Sequence, residues 1–332
     1  MVAPPNRAAE TVQTKLSFAI LALLAAPVWA AEPLSSSPAV PAIKHATIGQ
    51  DSRSDDVLRA QVLLDRAHFS PGEIDGVFGS NVAKAVAGFQ RSRGLDGSGK
   101  VDEATWAELE RDAVETLADY TITQADADGP YIEIPLDLIE KSALPALGFR
   151  NVEEALGERF HASPKLLQKL NKGKTLDQVG TVIRVPNVDG GPALGRASKV
   201  VVEQSSLTVT LLDADDEIIG QFPATTGSSH DPLPIGEWKI KGVARDPQFN
   251  YDPSLFWNAD PTHEKAKLSP GPNNPVGTVW IDLSKEHYGI HGTPEPSKIG
   301  KNESNGCIRL TNWDAMRVAA AVAPGVPAVL QD

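Results

Sequence analysis

The stretch GIHGTPEPSKIGKNESNGCIRL, residues 289–310, decides how the rest of the chain is read. It holds the chain's single cysteine, Cys307, sixteen residues after His291. A thiol attacks as its thiolate; its free pKa is about 8.5, and a neighbouring imidazole can lower that by several units. Gly306, just before the cysteine, lets the backbone turn sharply and bring amides against a substrate oxygen. Arg309, two residues on, can support the loop or hold a carboxylate bidentately. A lone cysteine also serves as a small buried hydrophobe, so its surroundings must decide.

Outward from this stretch the pattern has period two, which predicts strands. Val200 and Val202, then Leu207, Val209 and Leu211, read as a pair joined by a turn. Asp213 to Glu217 reads as a solvated acidic turn, and Ile218-Ile219 starts another strand. Pro234-Ile235-Gly236 with Trp238, Ile240 and Val243, then Thr278 to Leu283, then Tyr288 to Ile290 complete a mainly β domain. Trp313 to Val322 reads as a helix. Residues 244–275 form a long proline-rich stretch carrying Phe249, Tyr251, Phe256 and Trp257, read as either a packed loop or a lid.

Towards the N-terminus the period becomes helical. Val57, Leu58, Val62, Leu63 and Leu64 share a face behind the caps Ser54 or Asp55. Val82, Ala85, Val86 and Phe89 mark a second helix, and Asp102 caps a third carrying Trp106 and Leu109. Phe78, Phe89 and Trp106 are expected in the core. Residues 119–130 read as a polar linker. Helices are expected at about 152–160 and 163–171, and a strand at about 181–185 pairs with a divergent one near Tyr131 to Ile134. Arg7, Lys15, the apolar run Leu16 to Ala26 and Val28-Trp29-Ala30 read as a secretory signal cleaved before Ala31. The run is shorter than the roughly twenty residues of a spanning helix.

Composition bounds the function. The 332 residues are too many for one core. Against 31 basic residues stand 43 acidic ones, a net charge of −12, which argues against sequence-independent nucleic-acid binding. One thiol excludes an intrachain disulfide. His287 lies four residues before His291 but no third ligand follows at recognisable spacing, so no metal and no cofactor are expected.

Three resemblances emerge from these motifs. Gly76-Val77-Phe78-Gly79 with Ala85-Val86 and Phe89-Gln90 resembles the peptidoglycan-binding-like domain. Glu154-Ala155-Leu156, Ser163-Pro164, Leu170-Asn171, Gly180-Thr181 and Val185-Pro186-Asn187 resemble a LysM module of βααβ form. His291-Gly292-Thr293, Gly300 and Ser304-Asn305-Gly306-Cys307-Ile308-Arg309, with Thr226-Gly227 and Gly271-Pro272-Asn273-Asn274-Pro275 upstream, resemble the L,D-transpeptidase catalytic domain of YkuD type. The expected architecture is multidomain α+β. A signal peptide (1–30) and a linker (31–50) precede a three-helix peptidoglycan-binding-like domain (51–111) and a LysM-like module (119–188). A mainly β, sandwich-like catalytic domain (198–332) follows.

The last resemblance implies roles. Cys307 is the nucleophile, His291 the general base and then acid, and the Gly292 carbonyl orients the imidazole. Gly306 contributes an oxyanion amide, and Arg309 supports loop or substrate. Ser304, Asn305, Thr293 and Asn274 contact substrate. The donor is a peptidoglycan stem tetrapeptide that loses its terminal D-alanine. The acceptor is an amine, giving a 3→3 cross-link or attachment of an outer-membrane lipoprotein. A hydrolase on the same site, such as an L,D-carboxypeptidase, and a non-catalytic wall-binding scaffold are the alternatives. Asn305 stands where the family often has His. The location implied is periplasmic or cell-wall associated, and the front modules read as detachable appendages whose loss would spare the chemistry.

Overall fold

The computed structural model describes residues 45–332 apart from Ala113, Glu303 and Asn305. The signal peptide and residues 31–44 of the linker lie outside the described residues.

Three helices open the described chain: α1 (Asp55–Arg66), α2 (Ser80–Ser92) and α3 (Glu103–Leu109). Ser54 caps α1 by accepting from the Val57 amide, and Asp102 caps α3 through Thr105. Phe78, Phe89 and Trp106 are buried between the helices, as their spacing predicts. The linker, however, ends earlier than expected. Ile48 exchanges both backbone hydrogen bonds with Val101, and His45 stacks on Trp106 between Asp56 and Glu110, so residues 45–50 belong to the three-helix unit.

The next unit runs β1 (Leu117–Thr121), α4 (Gln124–Asp128), α5 (Leu138–Ser142), α6 (Val152–Arg159), α7 (Pro164–Leu170) and β2 (Val182–Pro186). Asn151 and Ser163 cap α6 and α7, and Pro164 occupies the first turn of α7, where its missing N–H costs nothing. Two expectations fail here. The strand pairing with β2 is Leu117–Thr121, not Tyr131–Ile134, with Leu117 opposite Pro186 and Thr121 opposite Val182. Residues 119–130 are likewise no linker: Ile122 is buried and a Thr123–Asp126 capping box starts α4. The Ile134 segment instead packs with Leu147, Tyr251 and Leu268.

The final unit comprises β3 (Lys199–Glu203), β4 (Thr208–Leu212), β5 (Ile218–Pro223), β6 (Gly236–Arg245), β7 (Phe249–Tyr251), β8 (Ala266–Leu268), β9 (Val279–Leu283), β10 (Gly289–His291), β11 (Ile308–Arg309), α8 (Asn312–Ala321) and β12 (Pro327–Gln331). The sandwich-like expectation resolves into one eight-stranded ladder, ordered β11-β10-β9-β6-β12-β3-β4-β5, curled around a single core. Val200, Val202, Val209, Leu211, Ile281, Ile290 and Ile308 alternate inward, and α8 fills the core with Ala315 and Val318. Within the proline-rich stretch, β7 and β8 pair with each other.

The front units are not appendages. Phe69 bridges to Gln221 on the edge strand β5, with Ser70 N–H to Gln221 C=O and Gln221 N–H to His68 C=O both at 2.9 Å. Arg317 of α8 forms a two-pronged ion pair with Asp65 of α1 at 2.9 and 2.8 Å. His161, in the α6–α7 connection, reaches the same carboxylate at 3.0 Å while stacking on Trp313 of α8. A fully buried carboxylate joining all three units makes the described chain one packed body.

Candidate active site

The β10–β11 pair is parallel, with Ile290 opposite Ile308 and His291 opposite Arg309. Ile290 and Ile308 point into the core, so alternation sends His291, Arg309 and, one step before the ladder, Cys307 to the other face. On these two adjacent strands His291 lies opposite Arg309, and Cys307 lies diagonal to it on the same face. On the same face Trp280, opposite His291 on β9, stacks against the imidazole with ring centroids 5.4 Å apart.

His291 is buried, and its Nδ1–H donates to the Gly292 carbonyl at 2.7 Å. That hydrogen bond fixes the tautomer and leaves Nε2 as the acceptor. The position is shaped by Asn312, the first residue of α8. Its Oδ1 accepts from the Thr278 amide at 3.2 Å, and a Cβ at either Gly277 or Gly292 would overlap it. Gly292 is therefore glycine because a capped helix comes in against the base.

Cys307 is half-buried, its thiol directed to the His287 carbonyl at 3.7 Å. Gly306 has φ +87°, and a Cβ there would lie 2.7 Å from the Tyr288 ring, so both backbone and packing demand glycine. The Ser304 hydroxyl donates to the Cys307 carbonyl at 2.6 Å, and its amide donates to Gly227. Ser304 thus closes the turn and is not open to substrate, contrary to the role its motif position implies. Asn274 departs from expectation in the same way. It is fully buried, donates to the Ser269 and Pro247 carbonyls and accepts from the Val276 amide, tying together the two stems of the 247–269 loop. Thr293 is buried beyond the end of β10 and accepts from the Glu295 amide at 3.3 Å. Asn305 lies outside the described residues. Tyr288, Asn312 and Trp280 went unrecognised; the run of glycines 277, 289, 292 and 306 was the available signal, since each marks a close approach.

Electrostatics on this face are unbalanced. Burial, followed by the charge of Arg309, pushes His291 down to about 3, against the opposing Gly292 hydrogen bond. Burial raises the Cys307 thiol and the Asp231 charge adds to that, while the Gly289 amide and Arg309 oppose it. The resting site accordingly holds a neutral thiol and a neutral imidazole. Arg309 has no hydrogen-bond or ion-pair partner for its guanidinium among the described residues, and its Nε is buried. The arrangement offers a nucleophile, an oriented acceptor nitrogen and an uncommitted cation.

Sequence comparison identifies the unit that carries this face. The family model described as "L,D-transpeptidase catalytic domain", YkuD, matches residues 197–330. A protein of Bacillus subtilis (strain 168) named "Putative L,D-transpeptidase YkuD" is 52% identical over 166 residues, spanning 50% of this chain and 80% of that protein. The chain belongs to the YkuD L,D-transpeptidase family. It is an L,D-transpeptidase enzyme by that membership, and a Bacillus licheniformis protein of the same name is 29% identical over 174 residues, 52% of this chain and 88% of the relative. A second model, "Putative peptidoglycan binding domain", matches residues 53–109, the three-helix unit of this transpeptidase. Among solved structures, L,D-transpeptidase 3 from Mycobacterium tuberculosis in complex with a faropenem-derived adduct is similar at 22% identity, covering 46% of this chain and 75% of that one with a TM-score of 0.35.

A second concavity, of about 550 Å³, lies in the middle unit between the start of α6 and the segment after α7, lined by Asn151, Gln168, Asn171, Lys174 and Asp177 among others.

Proposed function

We propose that this transpeptidase works through a thioester on Cys307. The Cys307 sulfur attacks the carbonyl of the L-centre in the L,D peptide bond of a stem tetrapeptide, and His291 Nε2 takes the thiol proton as the C–S bond forms. The oxyanion faces the Gly306 and Cys307 amides. Collapse breaks the C–N bond, His291 returns the proton to the departing amine, and D-alanine leaves. An amine of a second stem, or of a lipoprotein, then attacks the thioester with His291 again accepting its proton, and the thiol is regenerated. Arg309 is placed to hold a donor carboxylate.

The observation that carries this reading is the tautomer lock: a buried imidazole donating Nδ1–H to Gly292 on the face it shares with Cys307. The front unit would hold the wall, and the middle unit, read as LysM-like, would take glycan in its 550 Å³ concavity. Residues 1–30 would export the chain to the periplasm or cell wall, where its peptidoglycan-directed domains have their substrate.

Purified tetrapeptide muropeptides analysed by mass spectrometry test this. Cross-linked dimers lacking one D-alanine, absent with Cys307→Ala, are expected. Tripeptide without dimers would make the enzyme a hydrolase, and equal turnover by Cys307→Ala would remove Cys307 from the mechanism.

A further inference from the structure

We infer, on the reading of Cys307 and His291 given above, that Asn81 of the peptidoglycan-binding unit is a positioning residue for the nucleophile loop, so that acylation depends on a side chain supplied from outside the catalytic domain.

Asn81 is nine-tenths buried in the first turn of α2, and its Nδ2 donates to the Ile299 carbonyl at 2.9 Å, between residues 218 apart in sequence. Ile299 and Gly300 lie midway along the connection from His291 to Cys307. Among its described residues that connection holds no strand or α-helix, and a 3-10 turn spans Pro296–Lys298. Holding such a segment in one conformation costs backbone entropy at every residue, so its anchors matter.

Two anchors meet at one place. Gly300 has φ +72°, and a Cβ there would overlap the Asn81 side chain, so the loop is shaped to admit Asn81. The Gly300 amide then donates to Thr225 Oγ1 at 3.0 Å, and Thr225 exchanges both backbone hydrogen bonds with Arg309 at 2.9 Å. Two residues after Thr225, the Gly227 carbonyl accepts from the Ser304 amide, whose hydroxyl closes the Cys307 turn. Hydrogen bonds linked through short backbone steps (Ile299 to Gly300, Thr225 to Gly227) thus run from Asn81 to Arg309 and Ser304, on either side of Cys307.

Asn81 is itself held in place. Gln221 of β5 donates to the Lys84 carbonyl at 2.8 Å and accepts from Arg91 at 3.0 Å, fixing α2 against the sheet. A Cβ on Gly88 would lie 2.6 Å from the Gln221 side-chain amide, so the helix backbone packs directly against that side chain. The amide of Asn81 therefore reaches the loop from a fixed base. Small misplacements of a reacting group cost about a hundredfold in rate.

The test uses the full chain. Asn81→Asp is isosteric and turns an oxygen toward the Ile299 carbonyl; Asn81→Ala removes the contact with less repulsion, in case the aspartate does not fold. Val82→Ala weakens the same helix on its core side, away from the loop. For each variant, Tm, kcat and KM on tetrapeptide, and the pH dependence of Cys307 alkylation by iodoacetamide are measured. Both Asn81 variants are expected to lose about tenfold or more in kcat with KM little changed, and to shift the alkylation profile. Val82→Ala, at equal or greater loss of Tm, should stay within about twofold of wild type in kcat. Asn81 variants with wild-type kcat and alkylation, or losses that merely track Tm along with Val82→Ala, would overturn the inference while leaving the Cys307 reading intact. Failure of the wild type to turn over would count against that reading instead, and the alkylation profiles would still decide for Asn81.

Discussion

Two buried polar clusters in this molecule are built on opposite rules. At the junction of the three units, burial alone would raise Asp65, but the charges and hydrogen bonds of Arg317 and His161 hold it well below the usual carboxylate range. Its charge is met on every side. On the outer face of β10 and β11, Arg309 has no partner among the described residues, burial lowers His291 to about 3 and burial raises the Cys307 thiol. The junction compensates its central charge, although Asp314 Oδ1 and Trp313 Nε1 beside it have no hydrogen-bond partner among the described residues, and the catalytic face leaves the Arg309 cation unmet. Cationic groups taken out of water are ordinarily paired, and Arg309 departs from that rule.

Breaking each cluster should give different losses. Cys307→Ser is expected to abolish nearly all acyl transfer with Tm unchanged, because an imidazole ionises an alcohol far less readily than a thiol; dimer formation and thermal melting read the two sides. His291→Ala should slow acylation by about 10²–10⁴-fold, the usual worth of a positioned base, again with little loss of Tm. Arg317→Met reverses the pattern. It strands Asp65, which should cost about 3–5 kcal/mol of stability by denaturant titration, with activity lost only as the protein unfolds. Deleting residues 45–190 would strip partners from β5, α8 and the 247–269 loop, so a soluble, fully active remnant would refute the one-body description.

Acid–base behaviour sharpens the contrast at smaller scale. Wild-type alkylation of Cys307 should climb with pH past the ordinary thiol range, with no step near 6.5, because the thiol is raised and His291 stays neutral down to about 3. A step at 6.5 would mean that the imidazole titrates like a solvated one. Glu158, behind Asn312, is pushed up to about 8, chiefly by burial and then by Glu154 and Asp314 against the Asn312 hydrogen bond. The native state then binds the extra proton, so stability falls as pH rises from about 4.5 to 8. Glu158→Gln should melt a few degrees higher than wild type at pH 9 and alike near pH 4.

Much of this was legible in sequence, and for local reasons. The helices of the front unit, α6, α7 and α8 follow from apolar spacing and caps, and the pairing of Cys307 with His291 proposed above is read from residue chemistry and motif order. What escaped depends on distant partners. β12 is five residues opening on Pro327, a weak signal, yet it is a central strand, parallel to β3 and antiparallel to β6. β1 hides in Leu117–Thr121, whose apolar content is slight because its pattern is half-exposed. Asn274 and Ser304 look like binding residues because an amide or hydroxyl is drawn the same whether it meets a substrate or a backbone carbonyl. Asn81 has no signal near it at all, since its meaning lies at Ile299.

The place of β12 has a consequence for how the sheet is held together. Residues 327–331 lie between two strands made about 90 and 125 residues earlier. Without them the sheet would consist of two halves with open edges, and Cys307, His291 and Arg309 all belong to one of the two. Residues 327–331 therefore join the half that carries Cys307 to the half whose β5 leads into Thr225 and Gly227.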